Sequence, residues 1–143
     1  MTKTSSVKEP QAYLKTLPGD DVRQVLWRFS ERYDIQMLVQ ATRGVARGPV
    51  ARAVAQGGRG THEWTAEKAG LFTEFDAAGI TAAFIEPEYG GYLEGPKNLA
   101  LGLVGFELAW VDAGAATGSM ANNLALAPIH ERGTAEQKKE YMS

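Results

Sequence analysis

LALGLVGFELAWV, running from Leu99 to Val111, is the most apolar window of the chain, and its reading decides the fold. Its thirteen residues, Glu107 among them, fall well short of the ~20 that a helix needs to span a bilayer. The window is therefore expected to be a buried helix of a globular domain. Leu99, Leu103, Phe106 and Trp110 share one face, while Leu101, Leu108 and Val111 put hydrocarbon on the others, so the spacing predicts a helix covered nearly all round. Such a helix belongs at the centre of the domain, with Gly95 and Pro96 opening it and Asp112 near its end.

On the C-terminal side, past Gly114, comes AATGSMANNLALAPIHERG, a helix rich in small residues. Gly114 and Gly118 lie four apart, so another backbone or a ligand can approach closely there, and close helix packing explains the pair equally well. Gly133 stops this helix. Thr134 and Gln137 then form a capping box in which each side chain satisfies a free backbone N–H of the first turn. The helix they start is too short to stand alone. It is expected either to dock backward on the domain or to lead into a part that this chain lacks.

On the N-terminal side, Thr65 caps a helix that carries Leu71, Phe72 and Phe75 on one face and ends at Gly79. The loop ITAAFIEPEYGGYLEGP joins it to the apolar window. Further back, TRGVARGPVARAVAQGGRG holds a short helix opened by Pro49 and closed by Gly57 and Gly58. Before it, Asp20 caps a longer amphipathic helix with Val22, Leu26, Phe29 and Tyr33 on one stripe, expected to reach about Ala41. A short helical stretch lies between Gln11 and Leu17. No repeat, low-complexity tract or sheet-like alternation interrupts this pattern. The fold class expected is all-α, a single orthogonal multi-helix domain over residues 1–143 with about six helices.

The 143 residues are enough for one sizeable core and too few for two ordinary domains. The net charge of -2 supplies no global field to recruit nucleic acid or anionic lipid. No nucleic-acid partner and no membrane span are expected. Without cysteine there is no disulfide, thiolate ligand or thiol nucleophile, which fits a reducing compartment. The opening MTKTSSVKEPQAYLKTLPGD lacks the apolar run of a secretory signal, and a cytoplasmic location is the expectation.

Few residues announce chemistry by themselves. His62 and His130 are each followed by an acid, but neither has the i, i+4 partner of a metal-binding helix, so no metal site is expected. Arg43, Arg47, Arg52 and Arg59 form a cationic run that could meet phosphates, yet no aromatic is interleaved to stack a base, and a solvated face is the preferred reading. Neither GGRG nor PEYGG has the spacing of a phosphate loop. Glu86, Glu88 and Glu94 are explained as well by solvation as by catalysis.

The joint pattern of Pro87-Glu88-Tyr89-Gly90-Gly91, then Glu107-Leu108-Ala109 with Asp112, then Pro128-Ile129, then Gly133-Thr134, Glu136-Gln137-Lys138 and Tyr141, resembles the amino-terminal helical domain of the acyl-CoA dehydrogenase family. It covers about Leu71 to Tyr141. The sequence departs from the family's usual PEEYGG by reading EPEYGG, and has Phe106 for the first acid of its EEL. Its glycine and arginine segment from Thr42 to Gly60 is also longer than the family's usual link. The resemblance implies a flavoenzyme that uses FAD to oxidise an acyl-CoA to its 2-enoyl-CoA, a homo-oligomer in full-length form, with an unspecified electron-transfer partner. In that family a β-domain and a C-terminal helical domain follow this one, and the catalytic glutamate lies in the last. No catalytic residue and no stable FAD binding are therefore expected of this chain alone. What it would contribute is one wall of the acyl pocket, and the positions that match are Thr117, Met120, Ala121 and Leu124, whose spacing gives one helical face. The alternatives are that this face packs a neighbouring helix, and that the chain is a non-catalytic helical interaction module derived from such an enzyme.

Overall fold

The computed structural model describes residues 30–56, 62–95 and 97–143. Among the described residues the backbone forms helices and turns and no strand, as the all-α expectation requires. In chain order the elements are α1 (Tyr33–Val45), a π-helical turn (Ala46–Val50), α2 (Ala51–Ala55), α3 (Ala66–Ala77), 3₁₀ turns at Ala82–Phe84 and Pro87–Tyr89, α4 (Asn98–Ala109), α5 (Ala113–Arg132) and α6 (Ala135–Met142). Because α1, the π turn and α2 run on without a break, the described residues hold five helical rods. The expected helix at 11–17, the Asp20 cap, Val22, Leu26 and Phe29 of the stripe that ends at Tyr33, Arg59, and the Gly57-Gly58 stop lie outside the described residues, as does Pro96.

That unbroken run corrects the expectation that one helix ends near Ala41 and another starts at Pro49. Pro49 sits inside the helical run, in the π turn. A proline ring gives no N–H and crowds the preceding turn, and a wider turn is a local way to accommodate it without ending the helix.

The core lies where α4 meets α1 on one side and α5 on the other. Ile35, Leu38, Val39 and Val45 of α1 recur at helical spacing and are buried against Phe75, Ile80, Ala83 and Leu93, with Ala100, Val104 and Leu108 of α4 and Ala116 of α5. Thr42 is the buried polar member of the α1 stripe, and its hydroxyl donates to the Leu38 carbonyl at 2.7 Å, so it enters the core without an unpaired group.

The expectation that α4 is covered nearly all round does not hold. Ala100, Val104, Glu107 and Leu108 are its buried face, while Leu99, Phe106 and Trp110 are 49%, 50% and 67% exposed. Two neighbours, α1 and α5, cover only part of a helix circumference. The Phe106 and Trp110 rings tilt against each other on the open side, with centroids 6.1 Å apart.

The caps and helix stops lie where the sequence places them. Thr65 caps α3 through its side chain, which accepts from the Lys68 amide at 3.3 Å. Gly79 ends it at φ +72°, with its own amide on Asp76 O and that of Ile80 on Phe75 O, the Schellman pattern that favours a residue without Cβ. Both bonds of the Thr134 capping box are present, Gln137 N to Thr134 Oγ1 at 3.2 Å and Thr134 N to Gln137 Oε1 at 2.9 Å. The helix so started does dock backward: Met142 is buried, and α6 touches α5 and the Pro87–Tyr89 turn. Asp112, expected near the end of α4, proves to be the N-cap of α5, accepting from the Ala115 amide at 2.8 Å.

Candidate functional site

The α4–α5 hairpin presents the residues singled out from the sequence. Its tight corner leaves Asp112 to satisfy the first turn of α5, and Ala116 and Ser119 turn inward from there. Thr117, Ala121 and Leu124 are exposed, Leu124 by 79%, and Met120 is half-buried against the core. At about 100° per residue the four share one side of α5. The Thr117 hydroxyl donates to Ala113 O at 2.9 Å, so the face offers hydrocarbon and a thioether with its one O–H already engaged. Behind it, Gly105 of α4 makes room for Met120: an atom at the Cβ position of Gly105 would stand 3.2 Å from Met120 Cε and 3.3 Å from Sδ.

Beside this face, but not lined by its four residues, is a cleft of about 400 Å³ between α2, α3 and the start of α5. Val50, Val54, Leu71, Phe72 and Phe75 line it, with Trp64 at the side, and the rings of Trp64, Phe72 and Phe75 follow one another at centroid distances of 5.5 and 5.7 Å. The glycine pair of α5 lies here. Both line the cleft and both serve close approach: a Cβ on Gly118 would lie 3.3 Å from Phe72 Cζ, and one on Gly114 would stand 2.9 Å from the capping Asp112 Oδ1.

Two charged clusters frame the hairpin, and composition gave no sign of either. Glu107, 3% exposed in α4, receives Arg47 Nη1 at 2.8 Å, with Arg43 Nη1 at 3.9 Å. Two of the arginines preferred as a solvated face are thus turned inward onto the acid in the most apolar helix. Its presence there, and the lack of any acid from Gln40 to Gly60, were the signals available. The second cluster pins the EPEYGG loop. Lys97 Nζ donates to Ile85 O at 2.7 Å and lies 3.4 Å from Glu86 Oε1, which also faces His130 Nε2 at 3.3 Å. So Glu86, left open between solvation and catalysis, and His130, for which no metal site is expected, hold the loop to α5. Within the loop, Gly90 adopts φ +99°, and a Cβ on Gly91 would run into the Ile85 carbonyl, so both glycines are dictated by the turn.

At the other end of the loop Arg32 makes a two-pronged pair with Asp34, at 2.9 and 2.7 Å, and donates to Glu94 O at 2.8 Å. The guanidinium's hydrogen bond holds the Asp34 carboxyl below its ordinary value. Tyr92 donates to Gly79 O at 3.1 Å, and burial pushes its phenol above the usual range. Among the described residues no group of three or more His, Asp or Glu could hold a metal ion, and no helix is long and apolar enough to cross a membrane.

Comparison with known families gives one match: the model described as acyl-CoA dehydrogenase, N-terminal domain, fits residues 33–143. It takes in α1 and α2 as well, ahead of the span over which the motifs carried the resemblance. No curated protein and no solved structure matches the chain.

Proposed function

The chain belongs to the acyl-CoA dehydrogenase family, with that family's N-terminal domain over residues 33–143, and from this premise we propose that it forms one wall of the acyl pocket in an enzyme oxidising acyl-CoA to 2-enoyl-CoA. The observation that carries the reading is the open side of α5, where Thr117, Met120, Ala121 and Leu124 offer an apolar strip without a free donor. A saturated acyl tail can be bound only by dispersion and by exclusion of water, and a strip of this kind supplies both. The capped corner and the partner helix α4 hold it rigid, as the alignment of two adjacent C–H bonds with an acceptor and a base demands.

FAD is the hydride acceptor that the family reading calls for, and the described residues do not fit it by themselves. The 400 Å³ cleft is walled mainly by hydrocarbon, and Lys68 on its lining donates to Glu63 O at 2.6 Å, so a diphosphate would meet no cationic cradle there. The acyl wall therefore works with flavin-bearing and base-bearing parts of the enzyme, and no catalytic step is assigned to a residue of this chain.

A second reading, a non-catalytic helical interaction module, draws on the open stripe of Leu99, Phe106 and Trp110, since aromatic patches of this kind mark contact surfaces. The two readings separate on Ala121→Leu. In the FAD-bearing enzyme that carries this domain, the larger side chain occupies space needed by distal methylenes, each worth up to ~0.8 kcal/mol, so kcat/KM for long acyl-CoAs should fall several-fold to a hundred-fold relative to short ones. A loss uniform across chain lengths, with a lowered Tm, would remove the acyl wall and leave a packing surface.

A further inference from the structure

We infer that Gly105 is a specificity-determining position that acts through Met120: by having no side chain it lets the thioether lie back against α4, and so sets how far an acyl tail can run along α5. The inference rests on the acyl-wall reading above.

Gly105 stands within α4, where glycine is among the poorest helix formers, so its place there calls for a packing reason. The atoms that a Cβ on Gly105 would meet within 4 Å are both at the tip of Met120, Cε at 3.2 Å and Sδ at 3.3 Å. Gly102, three residues earlier on the same helix, has nothing within 4 Å. The crowding is thus specific to one glycine and one flexible side chain. Methionine has three rotatable bonds and yields easily. It cannot yield toward α4, which the new methyl would occupy, nor into its own helix. The inference takes the displacement outward, along the side shared with Thr117, Ala121 and Leu124, where these residues are exposed. A methyl at residue 105 is thus a wedge that lifts the thioether into the path of the tail. Gly105 makes no contact with substrate in this account; it is a positioning residue, and Met120 makes the contact.

The test is Gly105→Ala in the FAD-bearing enzyme, with Gly102→Ala as the matched control for helix propensity. The contacts at 3.2 and 3.3 Å ask for a small displacement, enough to exclude one methylene at most, and burial of one methylene corresponds to about fourfold in binding, so kcat/KM for long acyl-CoAs should fall up to about fourfold relative to short ones. Gly102→Ala should leave the chain-length profile in place, and adding Met120→Ala to Gly105→Ala should restore the long substrates. In the chain itself, the ¹³C-methyl resonance of Met120 should shift in Gly105→Ala and hold its position in Gly102→Ala, which reports the wedge without any turnover. An unmoved Met120 methyl, a loss equal at all chain lengths, or a failure of Met120→Ala to rescue would each overturn the inference. The Ala121→Leu enzyme tells the two failures apart. If that variant shortens the preferred chain and Gly105→Ala does not, this inference alone falls; if neither changes the profile, it falls together with the acyl-wall reading.

Discussion

Removal of Arg47 should cost more stability than removal of the acid it serves. Glu107 is 3% exposed, and its carboxylate is matched at 2.8 Å by Arg47 and more loosely, at 3.9 Å, by Arg43. The two arginines are about a third and a quarter exposed, so water can reach them if Glu107 is neutralised. The carboxylate has no such recourse. Breaking a fully buried pair from one side costs ~3–5 kcal/mol, and the partial exposure here and the remaining Arg43 reduce that figure. Arg47→Met, which keeps most of the stem's packing, should lose ~2–4 kcal/mol. Glu107→Gln keeps volume and an acceptor, and should lose ~1–2 kcal/mol. In the double variant Arg47→Met with Glu107→Leu no charge remains stranded, so the loss should be smaller than for Arg47→Met alone. Urea unfolding followed by far-UV circular dichroism reads all three, and the single Arg47 change should move the midpoint by roughly 1–2 M. If Glu107→Gln proves the costlier single change, or the double variant loses as much as Arg47→Met alone or more, the burial of the carboxylate is not what makes the cluster matter.

The remaining expectations are narrower. Gly91→Ala should lose at least ~2 kcal/mol in a thermal melt, because its Cβ meets a backbone carbonyl, Ile85 O, which can move only with the turn. Asp112→Ala should lose ~1 kcal/mol and speed amide exchange at Ala115, the donor it caps; unchanged exchange there would deny the cap any role. Two limbs of the pH profile follow from raised and lowered groups. Tyr92, raised by burial, contributes stability that is present below the ordinary tyrosine range, about pH 10, and is lost as pH climbs through its folded value, so Tyr92→Phe should flatten the alkaline limb of a Tm-versus-pH curve. Asp34, lowered by Arg32, contributes stability that is present above about pH 4 and lost as pH falls through its folded value, so Asp34→Asn should flatten the acid limb.

What the sequence made legible was local. Thr65, Gly79 and the Thr134 box act within three or four residues of themselves, and a cap or a left-handed glycine needs little from the rest of the chain, so each appears where it was expected. Boundaries that depend on tertiary partners were harder. Pro49 is a helix starter by preference, yet α1 continues through it into α2, because Val45, Ala46 and Val50 are all buried and burial outweighs one lost hydrogen bond. The apolar window misled in a different manner. Counting hydrocarbon on every face of α4 says that the helix could be buried all round, but how many neighbours cover it is a property of the assembled rods. Among the described residues α1 and α5 cover part of the circumference, and Leu99 and Phe106 stay open.

The same distinction governs the site. Thr117, Met120, Ala121 and Leu124 share a side of α5 by helical geometry alone, and that much is read from spacing; what stands behind them is not. That Gly105 leaves room for a thioether fifteen positions on, or that Arg47 reaches an acid sixty positions on, depends on how α1, α4 and α5 cross. The pieces that sequence could not join are the ones that would hold the apolar strip in place: a glycine behind Met120, a half-buried ion pair tying α4 to the helical run that begins with α1, and Glu86 with His130 pinning the EPEYGG loop to the far end of α5. An acyl tail offers no hydrogen bond by which a wall could select it, so selection must come from where the wall stops. On the acyl-wall reading proposed above, that limit falls to Met120, whose tip lies against Gly105 of the opposite helix, which is why a change at Gly105 should alter the length of tail accepted without touching the tail.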